Sequence, residues 1–196
     1  TFRDMAADIL ETADGLGMRS FAVLGHSLGA KAAMTCALLA PDRVMRVAAA
    51  DMAPRAYEGG DLLRLARIMQ RLDLSRLRSR ADADAALAAE VPDPSVRGFL
   101  LKNLREGDRG MVWRLNLEAI AGSFSALSAW NEDGRVFPGP ALFLRGEKSG
   151  YVCDDDMPRA RKFFPAAEFV TVPEAGHWVH ADNPDFVVRA MEEFFA

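Results

Sequence analysis

Apolar positions recur at helical spacing from the first residues of the chain. Phe2, Met5, Ile9, Ala13 and Leu16 fall on one side, with Arg3, Asp4, Asp8, Glu11 and Asp14 on the other. The pattern predicts an amphipathic helix over residues 1–14, ended by Gly15 and Gly17. The short apolar run from Phe21 to Leu24 suits a buried parallel strand, and Leu28 to Ala40 (LGAKAAMTCALLA) is rich in helix formers and closed by Pro41. Val44 to Ala50, apolar apart from Arg46, reads as a second strand that ends at Asp51. Strand, helix and strand in succession imply a right-handed parallel crossover. Functional residues of such sheets lie at the carboxyl ends of strands, which is where Ser27 and Asp51 fall.

From about Arg55 to Val136 the pattern turns helical, without convincing strands. Leu62, Leu65, Met69 and Leu72 line one face of a first helix, and Arg64, Arg67 and Arg71 line another. Residues 82–90 (DADAALAAE) predict a second, stopped by Pro92 and Pro94, and Ser95 to about Leu104 a third. A fourth is predicted over Trp113 to Trp130, weakened around Gly122. The sheet resumes with strands at Ala141–Leu144 and Glu168–Val172, separated by a helix around Asp155 to Phe164. The last helix starts near Asp182, with Pro184 in its first turn and Phe186, Val187, Ala190, Met191 and Phe194 as its buried stripe. The expected organisation is an α/β core at 1–54, an inserted helical cap at 55–137, and the remainder of the core at 138–196.

Composition narrows the classes of function. The 196 residues fit one domain with an inserted subdomain. A net charge of -4, spread along the chain, argues against a nucleic-acid partner, and no run approaches the apolar length of a membrane span. The opening TFRDMAADIL has no basic start followed by an apolar block, so no signal peptide is expected in this stretch and the cytoplasm is the expected compartment. Cys36 and Cys153 make no metal pattern, are too few for a disulfide framework, and read as free thiols. The six arginines from Arg64 to Arg80 read first as a solvated helix face, with an anionic substrate tail or a membrane surface as the alternatives. Leu62, Leu65, Trp113, Leu115, Leu117 and Phe124 read as cap core or as the wall of an apolar pocket.

The chemistry concentrates in Val23-Leu24-Gly25-His26-Ser27-Leu28-Gly29-Ala30, a Gly-x-Ser-x-Gly pattern between an apolar strand and an Ala-rich helix. The chain must turn there within a few residues, with Ser27 at the apex, and Gly25 and Gly29 are expected to leave room where a Cβ would clash. Such a turn lifts the Ser27 hydroxyl clear of the sheet and aims the first helical amides, Leu28 foremost, at an anion forming beside it. A serine that merely caps the following helix would leave the flanking glycines unexplained.

A serine nucleophile needs a base, and the base needs a third group to fix its tautomer. His177, in the loop Pro173-Glu174-Ala175-Gly176-His177 after a strand, is the best of the three histidines. His26 lies within the elbow, and His180 opens the approach to the final helix. For the carboxylate, the position after the post-cap strand, in Leu144-Arg145-Gly146-Glu147-Lys148-Ser149-Gly150, holds Ser149. Asp51 at its strand tip and the run Asp154-Asp155-Asp156 remain as candidates. Strand-end placement favours Asp51, while the run most simply charges the start of a helix.

The elbow Gly-His-Ser-Leu-Gly-Ala-Lys resembles the α/β-hydrolase fold family, as do the strand end Ala-Ala-Asp-Met-Ala-Pro, the Trp113-Arg114-Leu115-Asn116 segment and Gly176-His177-Trp178-Val179-His180-Ala181. The resemblance runs over essentially the whole chain and is narrowest to bacterial cytoplasmic serine esterases and thioesterases and their mitochondrial abhydrolase relatives. In that group the acid sits at the end of the strand after the elbow helix, which corresponds to Asp51 and accounts for Ser149. The resemblance implies a mostly parallel sheet with helices on both faces. It also implies hydrolysis of small-molecule carboxylic esters or thioesters through an acyl-enzyme on Ser27, Asp51 and His177, with no metal or organic cofactor. The family fold begins with several strands and a loop that gives the first oxyanion amide, so a chain that starts at the helix before the elbow is expected to be an N-terminally incomplete piece of a longer one. A C–C hydrolase or perhydrolase would use the same triad, and a non-catalytic α/β-hydrolase-like binding module would use none of it.

Overall fold

Thr1 and Asp4 exchange hydrogen bonds across the first turn of helix α1 (Phe2–Gly15), a capping box that starts the helix where the apolar spacing begins. The computed structural model describes residues 1–58, 61–108, 110–132 and 134–196. Strand β1 (Phe21–His26) is followed at once by helix α2 (Leu28–Leu39), nearly all of which is buried, and then by strand β2 (Val44–Ala50). The burial of α2 follows from its sequence: it is apolar all round, with Lys31 and Thr35 the polar residues carried inside with it.

The middle of the chain departs from the all-helical expectation. Helix α3 (Asp61–Arg71), a 3-10 turn at Leu74–Arg76, helix α4 (Arg80–Leu87) and helix α5 (Pro94–Leu101) are followed by an antiparallel hairpin of β3 (Leu104–Gly107) and β4 (Gly110–Trp113). Trp113 therefore ends a strand and opens no helix. The region expected to be one helix from Trp113 holds two short ones, α6 (Leu117–Gly122), capped by Asn116, and α7 (Phe124–Ser128). Strands of four residues are too short for an alternating pattern to emerge, which is why the hairpin is hard to read from hydropathy. These elements share a core of their own, including Ile68, Met69, Leu87, Val91, Leu101 and Leu117. Leu65 and Trp113 pack against it, with the indole N–H donating to Met69 O at 3.0 Å, so both serve as core here.

Strand β5 (Ala141–Gly146), helix α8 (Asp156–Phe163), strand β6 (Ala167–Val172), the single turn α9 (Val179–Asp182) and helix α10 (Pro184–Phe195) complete the chain. Four strands make one wholly parallel sheet in the order β1-β2-β5-β6. Ala48, Ala50, Leu142 and Leu144 point to one face and pack with Val187 and Phe194 of α10. Phe143, on the other face, meets Phe164 at the end of α8 and stacks on Phe169. The chain divides into two compact units, residues 1–56 with 129–196, and residues 57–128. No helix among the described residues is long and apolar enough to cross a membrane.

Candidate active site

Because the four strands are parallel, their carboxyl ends share one edge of the sheet. In the β1–β2 register His26 lies beside Ala50, and Ala50 in turn lies beside Leu144 of β5. The residues that follow, Ser27 and Asp51, are both held in the left-handed region, at φ 56° and 50°. A third non-glycine residue there, Glu174 at φ 60°, belongs to the loop that carries His177. Such conformations cost about 1–3 kcal/mol each and persist where the surroundings over-determine them. Here Ser27 N–H donates to Ala50 O at 3.0 Å, and Asp51 N–H to Leu144 O at 2.8 Å.

The elbow depends on its two glycines unequally. A Cβ on Gly25 would lie 2.0 Å from Gly29 O and 2.5 Å from Ala30 N, so strand and helix approach too closely for any side chain there. A Cβ on Gly29 would meet nothing within 4 Å, contrary to the expectation that both glycines relieve a clash. What matters at position 29 is its backbone, which Gly25 packs against. Leu28 opens α2, where an N–H has no intrahelical acceptor.

The structure brings Ser27, Asp51 and His177 together. His177 Nε2 lies 3.0 Å from Ser27 Oγ, and His177 Nδ1 lies 2.8 Å from Asp51 Oδ2. Asp51 is fully buried and also accepts from Gly146 N–H at 3.0 Å and from the Ser149 hydroxyl. With the carboxylate accepting at Nδ1, that nitrogen carries the proton and Nε2 is left to accept from Ser27. Gly146 permits the arrangement: a Cβ there would sit 2.1 Å from Gly176 O, in the histidine loop. The Asp154–Asp156 run is engaged elsewhere. Asp154 is exposed and pairs with Arg145 at 2.5 Å, Asp155 precedes α8, and Asp156 pairs with Arg55 at 2.9 Å and accepts from Cys153.

Two residues not singled out for it support this constellation, His26 at the histidine loop and Ser149 at the carboxylate. His26 Nε2 donates to His177 O at 2.7 Å. Burial pushes the His26 imidazole below the ordinary histidine value, and its bond to the His177 carbonyl opposes that shift. Ser149, three residues past the end of β5, is legible in the sequence only as a non-acid at an acid's position; its hydroxyl donates to Asp51, a residue 98 positions away in the chain. His180 sits on the exposed side of α9, edge-on to His26. On the first turns of α2, Lys31 is buried with its ammonium donating to Ala129 O at 3.0 Å. Burial, aided by the charge of Arg55, pushes it down to about 8. Among the described residues no group of three or more His, Cys, Asp or Glu side chains is arranged to hold a metal ion.

Known proteins share this arrangement of sequence and fold. The sn-1-specific diacylglycerol lipase ABHD11 of Danio rerio is 34% identical over 193 residues, a match covering 95% of this chain and 61% of that protein. Esterase YbfF of Escherichia coli is 31% identical over 190 residues, covering 97% of this chain and 73% of the other. Among solved structures, a marine microorganism esterase superposes with a TM-score of 0.93 at 31% identity, covering 99% of this chain and 77% of that one. The chain spans 61% to 66% of the length of the vertebrate ABHD11 proteins it matches. The model of the alpha/beta hydrolase family matches residues 1–190, nearly the whole sequence, and the chain belongs to that family.

Proposed function

We propose that this chain carries the catalytic centre of a serine hydrolase that cleaves carboxylic esters of small acyl substrates through an acyl-enzyme. The observation that carries the proposal is the unbroken line of hydrogen bonds from Ser27 Oγ, through both ring nitrogens of His177, to Asp51. Ser27 Oγ attacks the ester carbonyl carbon while His177 Nε2 takes its proton. The carbonyl oxygen becomes an anion beside the Leu28 amide, and one such donor is worth about 10²–10³ in rate. The carbon–oxygen bond to the leaving group then breaks, His177 returns the proton to the departing alcohol, and the acyl group stays on Ser27. Water then gives a proton to the same nitrogen as its oxygen attacks the acyl carbon; the bond from that carbon to Ser27 Oγ breaks, His177 returns the proton to Oγ, and the carboxylic acid leaves. Throughout, Asp51 holds the imidazole in one tautomer and balances the charge it acquires, without taking the proton itself.

The names of the relatives, esterase and diacylglycerol lipase, favour oxygen esters over thioesters, which the same geometry would also accept. Intact-mass measurement after treatment with a fluorophosphonate tests the reading. One adduct is expected on the wild-type protein and none on Ser27→Ala, with turnover of a phenyl ester lowered about 10⁶-fold in that variant. No adduct on the wild type would leave a non-catalytic binding module in its place. Paired oxygen-ester and thioester substrates of the same acyl group decide the leaving group.

A further inference from the structure

The hydrogen bonds at Nδ1 and Nε2 fix the His177 imidazole along one line and leave it able to rock about that line. Something must stand against its face. Tyr151 does so: its ring centroid lies 4.0 Å from that of His177, with the planes only 22° apart. The other rings beside His177 are farther and steeper, His26 at 4.7 Å and 41°, Trp178 at 5.9 Å and 64°.

Tyr151 is itself held at both main-chain groups. Its N–H donates to Ser149 Oγ at 3.2 Å, and its carbonyl accepts from Arg55 Nη2 at 3.5 Å. Arg55 is ion-paired with the buried Asp156, and the Ser149 hydroxyl that receives the Tyr151 N–H donates onward to Asp51. The three-residue turn 149–151 therefore braces the carboxylate with one residue and the imidazole with another. The arrangement also suits the charge. The negative face of an aromatic ring lies against an imidazole that becomes positive as it takes the Ser27 proton.

We propose that Tyr151 is a positioning residue, whose stacked ring keeps the His177 imidazole in the plane that reaches both Ser27 and Asp51. The inference rests on the serine hydrolase reading for its effect on turnover, and on geometry alone for the contact. It assigns the work to the ring face and none to the phenol hydroxyl.

The test compares Tyr151→Phe with Tyr151→Leu in the purified protein, with Tyr151→Met replacing the leucine variant if thermal melting shows that it does not fold. Tyr151→Phe is expected to keep kcat within about twofold. The non-aromatic variant should lose about tenfold in kcat with KM unchanged, the scale of one aromatic pair. Plain packing predicts no such split, so equal kcat in all variants, or a loss in Tyr151→Phe as large as in Tyr151→Leu, overturns the proposal. Proton NMR reads the contact without any turnover. The His177 ring CH resonances should be shifted upfield in wild type and Tyr151→Phe, and should return toward ordinary histidine positions in the non-aromatic variant. If the wild type takes no fluorophosphonate, the hydrolase reading fails by itself, and the NMR comparison still decides the stack; absence of the upfield shift in wild type overturns it.

Discussion

At the scale of the residue, the site is organised by one carboxylate that is saturated with donors. Asp51 receives His177 Nδ1–H, Gly146 N–H and the Ser149 hydroxyl in a place without solvent. A carboxylate so enclosed cannot turn away from the imidazole, so it fixes the tautomer that leaves Nε2 facing Ser27. Asp154 has the opposite surroundings, exposed and paired with Arg145 at the surface. Asp51→Asn is therefore expected to lower kcat about 10⁴-fold, by presenting an N–H where the imidazole needs an acceptor, whereas Asp154→Asn should change kcat less than twofold. Steady-state kinetics on a phenyl ester compares the two, and the reverse ranking would move the acid to the 154–156 run. Ser27 and His177 could be picked from the sequence because each sits in a recognisable local setting, an elbow and a strand-end loop. The support from Ser149, His26 and Tyr151 could not, since each acts on a residue distant in the chain.

At the scale of the element, the strand–elbow–helix unit of β1 and α2 depends on how closely two stretches of backbone pass. Gly25→Ala would place a methyl group 2.0 Å from the Gly29 carbonyl oxygen, against backbone that cannot yield without opening the turn. Loss of fluorophosphonate labelling is expected, with destabilisation of about 3 kcal/mol or more in chemical denaturation. Gly29→Ala should cost less than about 1 kcal/mol, because its methyl group enters open space at a helical position that alanine favours. Equal damage from both substitutions would mean that the elbow is looser than this geometry requires. Helices α1 and α10 were legible from their apolar stripes, α2 from its run of helix formers, and β2 from its nearly continuous apolar run. The β3–β4 hairpin was not: its strands span four residues each, too few for an alternating pattern to stand out.

At the scale of the whole molecule, the parallel order β1-β2-β5-β6 gathers at one edge residues that the chain separates by up to 150 positions. The same packing carries a buried cation. Lys31 lies in the interior with its ammonium near Ala129 O and about 5.3 Å from the centre of the Phe2 ring. Its value of about 8 in the folded protein, against 10.5 for an ordinary lysine, means that the unfolded chain binds the extra proton between those two pH values. Stability contributed by this group is therefore full above pH 10.5 and is lost as the pH falls toward 8. The denaturation midpoint should rise with pH across that window, and Lys31→Met should remove the part of the slope that belongs to Lys31. A variant with the same slope as the wild type would show that Lys31 is not buried as a charge.

The sequence by itself determined what depends on neighbouring residues. Period-3.6 stripes made the outer helices, continuous apolar runs made the inner strands, and a glycine-flanked serine between the two made the elbow. Which carboxylate meets His177 is a matter of register. Asp51 and His177 stand 126 positions apart, and they meet because β2 and β6 flank β5 in one parallel sheet. The placement of Ser149 on that carboxylate and of Tyr151 on that imidazole has the same cause. Hydropathy repeats over a few residues, whereas contacts between chain-distant residues exist only once strand order and register have been chosen, and those are properties of the packed sheet.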